Sequence, residues 1–271
     1  MQWLMPSADH ALAADEVHIW RARLAHCETC LDELSARLTP DERERAARFH
    51  FPVDQKRCIL GRALARIILA HHLRRSPHEL AFEYNAFDKP RLADRLDSPV
   101  EFNISHSGEW LLLAFAQHRA LGVDVERMRE DMASAEIAAR FFSPFECMAL
   151  ASLPVEMQCD AFFDCWTRKE AYLKGRGDGL SLPLDQFDVA FIPGAEPRLL
   201  ATRHDPQEAR RWSLCALNVG PGHKAAVAVE GFDWQLKLWD WPGAVNFLTR
   251  ATCVAAARVS DSQDRPIGRP I

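Results

Sequence analysis

The sequence lacks several features that would identify common classes of protein. No apolar run is long enough to cross a membrane, and no basic region followed by an apolar core stands near the first residue. We therefore expect a soluble, cytoplasmic protein with no membrane partner. The formal net charge of −5 argues against a general nucleic-acid binder. Neither a Walker-type phosphate-binding loop nor a protein-kinase signature occurs, which disfavours the ordinary nucleotide-binding folds.

Cysteine is present eight times, but a second closely spaced pair is missing. Cys27 and Cys30 have the spacing of a metal or redox pair, and no other pair follows to complete a zinc site. Several of the remaining cysteines stand among apolar residues. We expect all of them to be reduced thiols that pack as small hydrophobic side chains.

The 271 residues are enough for one large or two small domains, and one order of elements occurs twice. The capping-box pattern Thr39-Pro40-Asp41-Glu42 precedes an apolar helix, Cys58–Leu73, and about a hundred residues later Ser143-Pro144-Phe145-Glu146 precedes another around Trp166. Strands are predicted at Val17–Leu24, Leu80–Tyr84, Val100–Ile104, Trp110–Ala116, Ala120–Glu126, Phe187–Ile192, Trp212–Asn218 and Lys224–Glu230.

This repeated order predicts an internally duplicated α+β protein with a ligand cleft between its halves, although chance similarity is the alternative because the two halves share little sequence. We place the halves at residues 1–122 and 123–231. Residues 232–271 fit neither copy, and the polar segment 260–271 is typical of a disordered tail.

The stretch Phe162–Leu180 has charged residues inside an apolar helical stripe. On a helix, Lys169 lies in the middle of the apolar arc and Glu170 lies between Trp166 and Phe163. Buried charges need a partner or a metal, which indicates function. The alternative is a weak surface pair between Glu170 and Lys174.

The segment Gly122-Val123-Asp124-Val125-Glu126 alternates apolar and acidic residues. In a strand, Asp124 and Glu126 share one face, and two carboxylates this close repel one another unless a cation lies between them. Gly122 on the same face leaves room for such a cation, and oxygen-only ligation suits Mg²⁺. A solvated strand edge is the alternative.

Three further places carry groups that could bind an anion. The predicted turn over residues 103–108 surrounds His106 with Ser105 and other small donors. Lys89 lies on a rigid turn, and Arg57 and Arg62 flank the first apolar helix. Each has a plain alternative as a hydrogen-bonded turn or a solvated charge. Together with the acids they form the inventory that phosphoryl transfer needs.

These motifs, in this order and spacing, resemble the Sfp-type 4′-phosphopantetheinyl transferases. The resemblance covers about residues 17–230. It rests on Gly122–Glu126, on Trp166–Lys174 with Gly177, Gly179 and Leu180, on Lys89-Pro90, on residues 103–108, and on Arg140–Glu146.

The resemblance implies a pseudo-twofold α+β monomer that binds coenzyme A between its halves and transfers its phosphopantetheine arm to a serine of an apo acyl or peptidyl carrier protein. Such carriers serve fatty-acid, polyketide or nonribosomal peptide biosynthesis. The implied Mg²⁺ ligands are Asp124, Glu126 and Glu170. The implied coenzyme-binding residues are Arg57, Arg62, Lys89, Ser105, His106, Lys169 and Lys174, and the implied catalytic residues are Glu170, Lys169 and Glu126. Rival interpretations are a magnesium-dependent diphosphate hydrolase and a non-catalytic module that binds coenzyme A or a carrier.

Overall fold

A computed structural model describes residues 2–6, 11–87, 89–177 and 181–243. The predicted tail at 260–271 lies outside these residues. Within them, none of the helices has both the length and the apolar character needed to span a membrane. The seven described cysteines are free thiols, as predicted, while Cys253 lies outside the described residues.

The N-terminal half contains one strand, three helices and then four strands. Its elements are β1 (Glu16–Arg23), α1 (Leu31–Ser35), α2 (Pro40–Ala47), α3 (Pro52–Leu73), β2 (Phe82–Tyr84), β3 (Pro90–Leu92), β4 (Val100–Ser107) and β5 (Trp110–Gln117). The capping box predicted from Thr39 and Glu42 is confirmed at the start of α2.

The C-terminal half repeats this order. Its elements are β6 (Leu121–Arg127), α4 (Ala135–Phe141), α5 (Pro144–Ala151), α6 (Val155–Arg176), β7 (Phe187–Val189), β8 (Leu199–Thr202), β9 (Trp212–Ala216) and β10 (His223–Glu230). One further strand, β11 (Gln235–Asp240), follows it. The capping box of Ser143 and Glu146 starts α5. The predicted boundary after residue 122 falls inside β6.

The two principal sheets repeat the same pairing. β5 lies between β1 and β4 in one sheet, and β10 lies between β6 and β9 in the other, with antiparallel neighbours. A two-stranded hairpin follows α3 as β2–β3 and α6 as β7–β8. The predicted internally duplicated α+β fold is confirmed.

Residues beyond 232 belong to the fold for part of their length. β11 pairs in parallel with β1 along the outer edge of the N-terminal sheet. Trp239 and Trp241 pack on the fully buried ring of Trp20, with centroid distances of 6.0 and 6.2 Å. The predicted extension therefore begins as a strand of the first half.

Each long helix covers one face of its own sheet. The side chains of α3 pack with Phe102, Leu113 and Phe115 of β4 and β5. The side chains of α6 pack with Trp212, Leu214, Ala226 and Ala228 of β9 and β10. The opposite faces of both sheets share a third apolar cluster that includes Val123 and Val125. Burial of Val123 and Val125 there turns Asp124 and Glu126 toward α6.

Candidate active site

Asp124 is the most buried of the predicted metal ligands, with 1% of its surface exposed. Its Oδ1 atom accepts hydrogen bonds from Ser105 Oγ at 3.0 Å and from Lys174 Nζ at 2.5 Å. Among the described residues its Oδ2 atom has no hydrogen-bond partner. A buried carboxylate oxygen without a donor is costly, so Asp124 is arranged for a further cation or donor.

Glu126 and Glu170 add two carboxyl groups whose pKa values are raised. Burial raises the pKa of Glu170 to about 7, and the charge of Asp124 raises it further than that of Glu126 does. Burial and then Asp124 also raise the pKa of Glu126, against a 2.7 Å hydrogen bond from Ser107 Oγ. The charge of Asp124 therefore acts on both Glu126 and Glu170, as expected for carboxylates that lie close together.

Lys174 is the cation closest to these acids. Desolvation opposes its charge, but Asp124, Glu170 and Glu126 together hold the pKa of Lys174 above its ordinary value. Its Nζ atom also donates to Ser105 Oγ at 3.0 Å. Lys174 thus stays protonated and offsets part of the negative charge of the site.

A cavity of about 380 Å³ opens beside these residues, between the two halves. Its walls come from α3, the β2–β3 connection, β4 and the last turns of α6. Its lining residues include Phe49, Arg57, Cys58, Arg62, Phe87, Lys89, Asn103, His106, Glu170 and Lys174. Its size is in the range of small-molecule sites, and its walls combine apolar surface with basic groups.

The predicted basic residues differ in how much of their hydrogen-bonding capacity is free. Arg57 donates to Asp54 Oδ1 at 3.0 Å and to Gly108 O at 2.6 Å. Arg62 lies over the Tyr84 ring, and its buried Nη1 atom has no hydrogen-bond partner within the described ranges. Arg62 therefore has a donor left for an anionic ligand.

Lys89 and His106 reach the cavity in different ways. Lys89 Nζ donates to the carbonyls of Lys174 at 2.5 Å and Gly175 at 3.1 Å, so it caps the end of α6. The ring of His106 is partly exposed to the cavity. Desolvation there, then the charges of Arg57 and Lys174, lower the pKa of His106.

Lys169 does not lie with the other predicted site residues, which corrects its expected role. Its fully buried Nζ atom forms a 2.7 Å ion pair with Glu146 and donates to Leu184 O at 2.7 Å and Phe187 O at 2.5 Å. The ammonium group also lies over the Phe187 ring. These contacts satisfy all three of its donors inside the C-terminal core, so none remains for a phosphate.

Gly122 also has a different role from the one expected. A Cβ atom at this position would overlap the Ala171 carbonyl and the Gly175 amide of α6. The space on this face of β6 is therefore filled by the helix backbone and not by a ligand. The close contact brings the end of α6, with Glu170 and Lys174, to the acids of β6.

Asp124, Glu126 and Glu170 offer the oxygen ligands that a divalent ion prefers, but their carboxylates do not surround one common point. Within the described ranges, no group of three or more ligating side chains is close enough to hold a metal ion. Asp124, with its free Oδ2 atom, and Glu126 and Glu170, whose pKa values are raised by burial and by Asp124, are the residues from which such a site could form.

Ser107, Gly175 and Glu146 belong to motifs that the sequence showed, but their contacts in the structure were not predicted. Ser107 binds Glu126, Gly175 allows β6 to approach α6, and Glu146 is the partner of Lys169. The capping-box pattern did reveal Glu146 as a cap, but its second contact is remote in sequence. The alternation of β4 could have identified Ser107, because Asn103, Ser105 and Ser107 share a face.

Comparison with known proteins agrees with this architecture. The model of the 4′-phosphopantetheinyl transferase superfamily matches residues 120–229, and that of the 4′-phosphopantetheinyl transferase N-terminal domain matches residues 20–118. The chain is 41% identical to 4′-phosphopantetheinyl transferase HetI of Nostoc sp. over 88% of its own length and 98% of the relative's. The chain belongs to the 4′-phosphopantetheinyl transferase family.

Two more distant members show the same relationship. The chain is 34% identical to 4′-phosphopantetheinyl transferase Sfp of Bacillus subtilis, over 70% of its length and 81% of the relative's. It is 28% identical to a phosphopantetheinyl transferase of Thraustochytrium sp., over 79% and 78% of the two chains. The predicted family and enzyme class are confirmed.

Proposed function

We propose that this protein transfers the 4′-phosphopantetheine arm of coenzyme A to a serine of an apo carrier protein and releases 3′,5′-ADP. Family membership supports the transferase activity. The observation that carries the proposed site is the cavity between the halves, which is lined both by basic residues and by the Glu170 carboxyl. Because a single duplicated chain supplies both sides of this cavity, we propose that the enzyme acts as a monomer.

The anionic part of coenzyme A binds to the basic residues of the cavity. The free Nη1 atom of Arg62 makes this residue the first candidate for a phosphate, with Arg57, His106 and Lys174 beside it. Lys89 supports the site by capping α6. Ser105 lies next to Lys174 and contributes through that contact.

Asp124, Glu126 and Glu170 are the residues that would hold Mg²⁺. All three offer carboxylate oxygens, which Mg²⁺ prefers, and their mutual repulsion favours a cation between them. Bound there, the ion would neutralise charge on the diphosphate during transfer.

The protein's own groups guide the proton and the leaving group. The carrier serine Oγ forms a bond to the phosphorus that bears the pantetheine arm, and the bond from this phosphorus to the 3′,5′-ADP oxygen breaks. The serine proton passes to Glu170, directly or through water, because Glu170 is the one of the three acids that lines the cavity. The Lys174 ammonium stabilises the negative charge that remains on 3′,5′-ADP.

The test incubates the protein with coenzyme A and Mg²⁺, with and without an apo carrier, and follows both products by mass spectrometry. We expect stable coenzyme A without the carrier. With the carrier we expect equal amounts of 3′,5′-ADP and of carrier heavier by one phosphopantetheinyl group. The control is a carrier whose acceptor serine is replaced by alanine, which should abolish both products.

The same experiment separates the rival activities. Breakdown of coenzyme A without any carrier would identify a diphosphate hydrolase. Tight binding with neither product, across a panel of acyl and peptidyl carriers, would identify a non-catalytic binding module. The Asp124→Asn variant is nearly isosteric, so we expect a folded protein with greatly reduced transfer.

A further inference from the structure

β4 and β6 lie side by side although they belong to different sheets. The two strands are joined by hydrogen bonds between side chains of β4 and backbone amides of β6, in place of hydrogen bonds between two backbones. Asn103 Oδ1, Ser105 Oγ and Ser107 Oγ accept hydrogen bonds from the amides of Val123, Val125 and Arg127, at 2.9, 3.3 and 3.0 Å. We call these three contacts the β4–β6 seam.

Two side chains of the seam also bind the acids of the site. Ser105 Oγ donates to Asp124 Oδ1 at 3.0 Å, and Ser107 Oγ donates to Glu126 Oε2 at 2.7 Å. Each serine therefore accepts from the backbone of β6 and donates to a carboxylate of the same strand. Alternate residues of β4 therefore form hydrogen bonds with alternate residues of β6.

The hydrogen-bonding capacity of a hydroxyl shows how fully these serines are engaged. A hydroxyl has one donor and two acceptor positions. Ser105 uses its donor on Asp124 and both acceptor positions, on Val125 N and Lys174 Nζ. Ser107 uses its donor on Glu126 and one acceptor position on Arg127 N. In both serines the donor is committed to a carboxylate.

We propose that Ser107 is a positioning residue for the transfer reaction and acts by fixing the Glu126 carboxylate, as Ser105 fixes Asp124. The carboxylates repel one another, so an unanchored Glu126 would rotate away from Asp124. The hydrogen bond from Ser107 opposes this rotation and keeps both acids toward α6. The inference rests on the proposed role of Glu126 in holding a divalent ion.

The test compares Ser107→Ala with Ser107→Thr, which keeps the hydroxyl. Ser213→Ala is the matched control, because Ser213 also lies in a strand but its hydroxyl donates to a backbone carbonyl, that of Gly231 at 2.6 Å, and not to a carboxylate. Circular dichroism confirms folding. Should Ser107→Ala fail to fold, Ser107→Cys replaces it, because a thiol preserves the shape but donates weakly.

Two measurements are made on each variant. The first is the Mg²⁺ concentration that gives half the maximal rate of carrier modification. The second is binding of Mn²⁺ in the presence of coenzyme A, followed by the paramagnetic resonance of the free ion. Loss of an outer contact to a metal ligand commonly weakens binding 10- to 100-fold. We expect a weakening of at least about tenfold in both measurements for Ser107→Ala, with most of it recovered in Ser107→Thr.

The Glu126→Gln background shows whether Ser107 acts through Glu126. In that background we expect Ser107→Ala to change Mn²⁺ binding by less than about twofold, because the carboxylate that Ser107 would position for the ion is no longer present. Unchanged metal dependence in Ser107→Ala, or an equal change in Ser213→Ala, would overturn the inference. Absence of carrier modification by the wild-type protein would instead refute the proposed function.

Discussion

The two long helices, α3 in the N-terminal half and α6 in the C-terminal half, are both 22 residues long and carry a buried cation at the same distance from their start. Arg66 pairs with Glu42 at 2.7 Å, and Lys169 pairs with Glu146 at 2.7 Å. Each acid belongs to the capping box of the preceding helix. Each cation also donates to two carbonyls that follow its helix: Pro77 and Leu80 for Arg66, Leu184 and Phe187 for Lys169.

The comparison shows that Lys169 is part of a duplicated framework. A residue with a catalytic role would be expected in only one half, because only one half supplies the acids. Each half contains such a cation with its acid, and in each half the cation binds an equivalent pair of carbonyls. Duplication therefore explains why Lys169 is buried. In the sequence of one half alone, this buried charge looks functional.

The halves differ at matching positions of β1 and β6. β1 pairs with β5 as β6 pairs with β10, and in this register His18 corresponds to Gly122 and Trp20 to Asp124. The buried His18 ring meets the His72 ring on α3, with the centroids 5.4 Å apart. Rings thus occupy the space that Gly122 and the backbone of Gly175 share in the other half.

This difference confines the acids of the candidate site to the C-terminal half. Where two glycines meet, α6 approaches β6 closely enough to bring Glu170 and Lys174 to Asp124. Where two histidines meet, the helix and the strand are separated by their rings, and Trp20 is covered by Trp239. The same architecture builds an aromatic core in one half and the acid cluster of the candidate site in the other.

The largest expected effect tests the buried cations. Lys169→Met leaves Glu146 buried without its cation and two carbonyls without their donor, so we expect a loss of about 3 to 5 kcal/mol in unfolding free energy. Arg66→Met should cost a similar amount. Denaturant titration measures both, and coenzyme A affinity of the folded fraction should stay unchanged. An undiminished stability together with weaker coenzyme A binding would restore the phosphate role for Lys169.

The next test concerns the close approach of β6 and α6. Gly122→Ala adds a methyl group that overlaps the backbone of α6, so we expect a loss of about 3 kcal/mol and a large fall in transfer rate. The matched control is Gly61→Ala in α3, where the new Cβ atom has ordinary contacts at 3.4 and 3.5 Å. Because alanine favours a helix, that variant should be as stable as the wild type or more so. Equal effects at the two glycines would contradict the comparison.

A smaller effect is expected from the raised pKa of Glu170. The pKa of Glu170 is about 7 in the folded protein and near 4.5 in the unfolded chain, so folding takes up a proton when the pH lies between these two values. The stability that this proton provides is lost as the pH rises through 7. Without added metal, Glu170→Gln should therefore be more stable than the wild type at pH 8.5, by about 2 kcal/mol. The difference should shrink on acidification toward pH 5, as thermal unfolding would show. A gain that does not depend on pH would refute this explanation.

The smallest expected effect compares the two capping boxes. Thr39→Ala and Ser143→Ala each remove a side-chain acceptor from the first turn of a helix and should each cost about 1 kcal/mol. Chemical denaturation gives both values. A much greater cost at Ser143 than at Thr39 would mean that the Glu146 contacts depend on the cap more strongly than the Glu42 contacts do.

The order of elements could be predicted from the sequence because its signals are local. Capping boxes, apolar helices and alternating strands each depend on neighbouring residues, and the predicted strand at Trp110–Ala116 matches β5 within one residue. The β4 prediction stopped too early, because Ser105, His106 and Ser107 are typical of a turn. In the structure the side chains of Ser105 and Ser107 bind the backbone of β6, and this pairing of two distant strands is not visible in the sequence of β4 alone.

The acids of the site were predictable for the same reason, and their neighbours were not. Alternation in β6 places Asp124 and Glu126 on one face whatever the rest of the fold does. The partner of Lys169 is 23 residues away on another helix, and Gly122 meets a helix that begins more than thirty residues later. Such contacts depend on how distant helices and strands pack together, and the packing cannot be read directly from a single sequence.

The β4–β6 seam makes the joint between the halves adjustable by mutation. A backbone ladder is nearly the same for every sequence, whereas here each bond across the joint depends on the identity of one side chain, at residue 103, 105 or 107. Exchanging one of these three residues for one of another length or shape would alter the spacing of β4 and β6. The fit between the halves can therefore change during evolution through three side chains, while the backbone pairing within each sheet stays the same.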